Sequence, residues 1–160
     1  MACTAVVPVL AITMLAGCFG PMREGTLSAQ NRADLLCAST LAGMVIANTG
    51  TTAVHALGYS LTYYKNVDHG RANGLLLPEF LAFTAKQAGE RVQSILACMG
   101  LADVASFASL LNGLLGKREM LTPDELAHFA EKASKAGNIG NCLVRPDKDD
   151  LLAVLTAALG

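Results

Sequence analysis

The stretch HALGYSLTYYKNVDHGRANGLLLP, residues 55–78, carries the clearest structural and chemical signal of the chain. Its first histidine, His55, lies in a helical pattern of small and apolar residues, where an imidazole without a partner would cost free energy. A second histidine, His69, follows 14 positions later, which is about 21 Å along a straight helix. Two nitrogens bound to one metal ion lie at most about 4.2 Å apart. The histidines can therefore share an ion only if the chain reverses at residues 65–68; the alternative is a hydrogen-bonded core His55 and a helix-initiating His69.

Helical periodicity continues on both sides of this stretch. No charged side chain lies between Asp34 and Lys65, so we expect the helices there to be covered by protein on most sides. Pro78 is expected to kink or divide its helix, and Gly100 and Gly116 to end the two that follow. No segment alternates with period two for long enough to predict a strand. We predict an all-α chain with helices over residues 28–48, 51–65, 71–86, 88–99, 103–115, 122–135 and 149–159 and a loop at 137–142.

The composition excludes several classes of protein. Among 160 residues, 12 Lys and Arg stand against 13 Asp and Glu, so the net charge of −1 leaves no basic stripe for nucleic acid. Charged residues make up 16% of the chain, apolar residues 52%, and the mean hydropathy is +0.42. This composition excludes a disordered chain and contains fewer charged residues than a globular protein that stands alone usually has. The cysteines contain no CxxC pair and are interpreted as buried small hydrophobes in a reducing cytosol: Cys3, Cys18, Cys37, Cys98 and Cys142.

The N-terminal segment allows three interpretations. Residues 1–22 carry no charge, and residues 5–19 are almost continuously apolar. We favour a buried helix or strand of a soluble domain whose preceding part is absent. The second interpretation is a lipoprotein signal, because Leu15-Ala16-Gly17-Cys18 resembles a lipobox, although no positive charge precedes it. The third is a membrane anchor, which Pro8 and Thr13 weaken.

Residues 55–78 resemble the signature of the iron-containing (group III) alcohol dehydrogenases, H-A-x-x-H-x-L-x-x-x-x-x-x-x-H-G-x-A-N-x-x-L-L-P. The positions in register are His55-Ala56, Leu61, His69-Gly70, Ala72-Asn73 and Leu76-Leu77-Pro78. The likeness extends from about Ser28 to Leu159. It implies the helical bundle-like, C-terminal metal-binding domain of the iron-containing alcohol dehydrogenase (dehydroquinate synthase-like) fold over residues 27–160. Residues 1–26 are left as an apolar segment, either a remnant helix or signal-like.

The resemblance also implies a metal site. In the family, the first and last histidines of the pattern bind Fe²⁺ or Zn²⁺ together with a D-x-x-x-H pair on an earlier helix, so His55 and His69 become metal ligands. Tyr59 stands where many members have a histidine beside the nicotinamide, and we expect it to contact substrate or cofactor. No D-x-x-x-H precedes His55. Asp124 and His128 match that spacing downstream, and we interpret the match as accidental because Asp124 suits the first turn of a helix.

The resemblance implies the C-terminal part of an alcohol dehydrogenase that transfers hydride between NAD or NADP and an alcohol or aldehyde. The sequence contains no glycine-rich dinucleotide loop, so this truncated chain is expected to be inactive alone and cytoplasmic, with a nucleotide-binding partner domain or a second copy as its partner. One alternative is a lipid-anchored or secreted helical binding protein processed at Leu15–Cys18 and held at the membrane. Another is a non-catalytic remnant or interaction module on the same fold.

Overall fold

The computed structural model describes residues 3–160, with side chains from Val6 onward. Residues 1 and 2, the start of the predicted 1–26 segment, lie outside the described residues, as does the side chain of Cys3. The part described contains eight α-helices, one 3-10 helix and no strand, which confirms the all-α prediction. The helices are α1 (Cys3–Ala16), α2 (Phe19–Glu24), α3 (Ala29–Thr49), α4 (Ala53–Lys65), α5 (His69–Cys98), α6 (Val104–Leu115), α7 (Pro123–Ser134) and α8 (Lys148–Leu159).

Side-chain caps begin four of these helices, including α6, where the Asp103 carboxylate accepts from the Ser106 N–H at 2.7 Å. The Ser28 hydroxyl accepts from the Asn31 N–H at 3.1 Å, and Asp147 accepts from the Asp150 N–H at 2.9 Å. The predicted capping box of α7 is confirmed, because Thr122 accepts from the Glu125 N–H at 3.3 Å and the Glu125 carboxylate accepts from the Thr122 N–H at 2.9 Å. Each cap satisfies backbone donors that the first helical turn leaves free, so the sequence locates these starts closely.

Two local predictions are wrong. Helix α5 is not divided at Pro78; its departure from helical geometry is at Ala88, with φ −132° and ψ 44°, which is the predicted boundary between the helices over 71–86 and 88–99. Proline removes one helical donor, and Pro78 is buried in a helix that is held by neighbours on several sides. Residues 137–142 are not an irregular loop, because a 3-10 helix forms over Gly137–Asn141.

The main hydrophobic core lies where α4, α5, α7 and α8 pack together. Its fully enclosed leucines include Leu57, Leu61 and Leu76, all 0% exposed. A smaller cluster of Val92, Leu96 and Phe107 joins the end of α5 to α6. The α4–α5 pair, which carries residues 55–78, is therefore supported on its inner side by two further helices.

Helices α1 and α3 pack on one another, with α1 also touching α5. Ala38 is the single buried residue of α3, so the expectation that residues 35–64 are covered on most sides holds for α4 and is wrong for α3. By length and composition, Val6–Glu24 could cross a membrane, as could α3 and α4 taken together across their 111° bend. Cys18, the residue of the lipobox-like motif, is 1% exposed between α1 and α2.

Candidate metal site

A reversal of the chain between α4 and α5 brings the two histidines of the signature together. Asn66 ends α4 in the left-handed conformation, with φ 54° and ψ 36°, which asparagine tolerates better than most residues. Val67 is 6% exposed, and its N–H donates to the Leu61 carbonyl at 3.4 Å, which folds the link back onto α4. His69 is then the first residue of α5, opposite His55 near the start of α4.

The 3-10 helix fastens the start of α4. Asn138 Nδ2 donates to Thr51 Oγ1 and to the Thr52 carbonyl, both at 3.1 Å. Asn141 Nδ2 donates to the Thr51 carbonyl at 2.9 Å. Because His55 lies in the first turn of α4, these hydrogen bonds help to fix the position of the backbone that carries its ring. Sequence reasoning missed them, and the asparagines of the GNIGN segment were the signal that could have suggested a turn with side-chain hydrogen bonds.

The rings of His55 and His69 lie 5.2 Å apart between centroids, with an interplanar angle of 57°. That separation is compatible with one ion about 2.1 Å from a nitrogen of each ring. His55 is half-buried, and loss of hydration lowers its pKa, with repulsion from His69 as the second cause. Both effects favour the neutral imidazole, which is the form that binds a metal ion. The donor set therefore fits a borderline divalent cation.

Tyr59 covers one side of this histidine pair. Its ring stacks on that of His69, with centroids 5.4 Å apart and planes 13° from parallel, and meets the ring of His55 edge-on at 6.3 Å. The residue is 52% exposed. A phenol hydroxyl can donate or accept a hydrogen bond, so Tyr59 offers polar chemistry beside the pair. Its contact with substrate or cofactor stays a prediction.

Asn73, on α5, contacts one member of the pair, His69. Its Nδ2 lies 3.2 Å from Nε2 of His69, one helical turn earlier. Asn73 stood in the signature as a matching position, without an assigned role. The i to i+4 spacing of His69 and Asn73 is the signal that predicts such a contact on a helix.

The residues described form no group of three or more His, Cys, Asp or Glu side chains that could hold a metal ion. Asp124 and His128 lie on α7, where the His128 ring packs 5.7 Å from Tyr64 and 6.0 Å from Phe129. The described chain thus brings two imidazoles together, and a closed tetrahedral site needs four ligands.

Comparison with known families accounts for nearly the whole chain. The family model "Fe-containing alcohol dehydrogenase family, C-terminal" matches residues 2–159. The chain belongs to the iron-containing alcohol dehydrogenase family. The match includes the apolar segment from residue 2 to residue 26 as well as the helices that carry the histidines.

Relatives and solved structures from this family are similar to parts of the chain. Long-chain-alcohol dehydrogenase 1 of Geobacillus thermodenitrificans is 34% identical over 71 residues, which are 44% of this chain and 18% of that protein. Lactaldehyde reductase of Escherichia coli K12 is 36% identical over 61 residues, 38% of this chain and 16% of that protein. The crystal structure of an iron-containing alcohol dehydrogenase from Thermotoga maritima superposes with a TM-score of 0.86 at 30% identity, covering 98% of this chain and 42% of that one. The chain therefore spans less than half the length of the family members it matches.

Proposed function

We propose that this chain supplies half of the metal site of an NAD- or NADP-dependent alcohol dehydrogenase, with His55 and His69 as two ligands to Fe²⁺ or Zn²⁺. The observation that carries the proposal is the 5.2 Å separation of the two rings at the family's signature positions. A bound divalent ion acts as a Lewis acid that polarises the oxygen of an alcohol or aldehyde. The nicotinamide would be held by a nucleotide-binding domain, and the remaining metal ligands would come from that domain or from a second copy of the chain.

The residues of this chain have distinct tasks in that proposal. His55 and His69 present neutral nitrogens from two different helices, and the core beneath α4 and α5 keeps those helices in place. Tyr59 stacks on His69, so its hydroxyl is available to contact the substrate or the cofactor. The sequence contains no glycine-rich phosphate loop, and we propose that the chain alone does not oxidise alcohols with either nicotinamide cofactor.

Titration calorimetry with Zn²⁺ at pH 7.5 tests the proposal. We expect weak binding of one ion per chain, because two imidazoles are half of a four-coordinate set. His55→Ala and His69→Ala should each abolish this binding. His128→Ala is the matched control, since His128 is an exposed helical histidine packed against Tyr64, and it should bind as the wild type does. Equal uptake by all four proteins would reject the site.

We further propose that residues 1–26 belong to the same domain as residues 27–160 and that the chain is cytoplasmic. The family match from residue 2 and the burial of Cys18 support this over processing at the lipobox-like motif. Mass spectrometry of the protein from its native host tests it. Retention of the residues before Cys18 is expected, whereas a diacylated Cys18 at the N-terminus would favour the lipid-anchored binding protein.

A further inference from the structure

Helices α4 and α5 lie in close contact at Gly58 and Asn73. A Cβ atom on Gly58 would overlap the Asn73 side-chain oxygen and would lie 3.2 Å from its Cγ. The backbone nitrogen of Asn73 would be 3.7 Å away. The Asn73 amide therefore fills the space that a side chain at position 58 would occupy.

This contact lies one helical turn beyond the histidine pair on both helices. Gly58 follows His55 on α4, and Asn73 follows His69 on α5, with spacings that put each pair on one helical face. The contact between Gly58 and Asn73 therefore lies between the two helices, next to the rings of His55 and His69.

The position of the Asn73 amide lowers the stability of the fold. Its Oδ1 is buried and has no hydrogen-bond partner among the residues described, while its Nδ2 contacts Nε2 of His69 at 3.2 Å. A buried acceptor without a partner lowers stability, so packing alone does not account for an asparagine at this position. With Nδ2 facing the ring, the amide donates to a bare Nε2; rotated by 180° about the Cβ–Cγ bond, it accepts from Nε2–H through Oδ1, and this second arrangement leaves the Nδ1 lone pair of His69 free for a metal ion.

We propose that Asn73 is a positioning residue that holds the His69 imidazole in its orientation toward His55. Gly58, which has no side chain, leaves the space that the Asn73 amide occupies. The part of this inference that concerns metal affinity rests on the proposed function. Partners that orient metal-binding histidines typically contribute 10- to 100-fold to metal affinity. Asn73 reaches only one of the two rings, so its loss should disturb His69 and leave His55 in place.

Co²⁺ titration followed by visible absorption measures the effect of each substitution on metal affinity. Asn73→Leu keeps the size of the side chain and removes the amide, and we expect its Co²⁺ affinity to fall by about 10- to 100-fold. Gly58→Ala should also lower the Co²⁺ affinity, because the added methyl group displaces the Asn73 amide. Gly43→Ala is the matched control, since it adds the same methyl group inside α3 with nothing within 4 Å, and its Co²⁺ affinity should equal that of the wild type.

A double variant separates positioning from general damage to the helix pair. If Gly58 serves to admit Asn73, the Gly58→Ala/Asn73→Ala protein should bind Co²⁺ no more weakly than Asn73→Ala alone. Losses that add up in the double variant would overturn the role given to Gly58. Circular dichroism of each variant verifies that the helices are retained.

Imidazole ¹⁵N NMR of the metal-free chain at pH 8 provides a readout that does not depend on metal binding. Asn73→Leu should change the ring-nitrogen shifts of His69, because Nε2 loses its hydrogen-bond partner, and should leave His55 and His128 unchanged. Unaltered His69 shifts, or Co²⁺ affinity equal to or tighter than the wild type, would overturn the inference. If His55→Ala and His69→Ala keep wild-type Co²⁺ affinity, the proposed function fails, and the NMR result alone decides the inference.

Discussion

The histidine-bearing helix α4 and the layer formed by α1 and α3 are similarly poor in charge but bury their side chains to very different extents. Helix α4 buries seven of its 13 residues. Among the described side chains of α1 and α3, Ala11 and Ala38 alone are buried. Large apolar side chains stand exposed in that layer, with Leu36 at 71% and Met44 at 56%.

The difference shows that lack of charge does not by itself specify what covers a helix. The apolar excess of the composition is concentrated at α1 and α3, whose outer faces carry apolar side chains, whereas α4 is enclosed by α5, α7 and α8. The candidate site therefore stands on the well-packed part of the molecule. Its geometry should respond to changes in that core and be insensitive to changes on α3.

Truncation of one leucine in each region is the strongest test of this comparison. Leu57 is 0% exposed in α4, so Leu57→Ala should lower the free energy of unfolding by about 2–5 kcal/mol. Leu36 is 71% exposed in α3, and Leu36→Ala should change it by less than about 0.5 kcal/mol. Urea unfolding followed by circular dichroism measures both. Similar losses in the two variants would mean that α3 is covered in solution.

Much of the fold could be predicted because its signals are local. The box at Thr122 and Glu125 and the stop at Gly116 lie within a few residues of the helix ends that they define. The break of α5 near residue 88 was predicted, whereas the continuity of the helix at Pro78 was not predictable in this way. Pro78 is the stronger local signal, yet tertiary packing keeps the helix intact there and the backbone departs from helical geometry at Ala88.

The candidate site, too, has a part that local sequence signals predict and a part that depends on tertiary packing. The spacing of His55 and His69 with a turn between them predicts that the rings can meet, and the structure places them 5.2 Å apart. The amides that fasten α4 come from Asn138 and Asn141, more than 80 positions away along the chain, and no local pattern links them to Thr51. Contacts of that range depend on how α7 and α8 pack.

A second test concerns the clamp that Arg71 forms at the start of α5. Its guanidinium pairs with Glu119, donates to the Lys117 carbonyl and donates to the Leu115 carbonyl at 3.2 Å. Arg71→Met would leave the partly buried Glu119 carboxylate unpaired and should cost about 1–3 kcal/mol. The control, Arg32→Met on the exposed face of α3, should cost less than about 0.5 kcal/mol in the same urea experiment. Equal losses of stability in Arg71→Met and Arg32→Met would contradict the distinction between the packed region and the layer formed by α1 and α3.

A third test uses pH to examine the histidine pair. Burial lowers the pKa of His55 below its ordinary value of 6.5, so the unfolded chain takes up a proton at higher pH than the folded chain. The stability of the metal-free protein should be full above pH 6.5 and decline as pH falls through the lowered value. His55→Gln should make this decline smaller, because the variant has no imidazole at this position to take up the proton. A wild-type stability that rises as the solution becomes more acidic would contradict the assignment.

The smallest effect is expected from an ion-pair network on the surface of the packed region. Glu131 on α7 lies 2.7 Å from Lys135 and 2.7 Å from Lys148, and hydrogen bonds from these two lysines lower its pKa from 4.5 to about 2. A carboxylate with a depressed pKa adds stability that is present above pH 4.5 and is lost as pH falls toward 2. Glu131→Gln should therefore be slightly less stable than the wild type at pH 7 and equal to it near pH 2.

Salt provides the control for this last difference, because the groups are exposed and the Debye length shrinks to about 3 Å at 1 M. The gap between wild type and Glu131→Gln should narrow in 1 M NaCl at pH 7, while the gap between wild type and Leu57→Ala, which reflects a buried leucine, should not narrow. If high salt leaves the Glu131 gap unchanged, attraction between the charges of Glu131, Lys135 and Lys148 does not account for the gap, because Glu131→Gln keeps both methylene groups and changes only the charge and the hydrogen bonding.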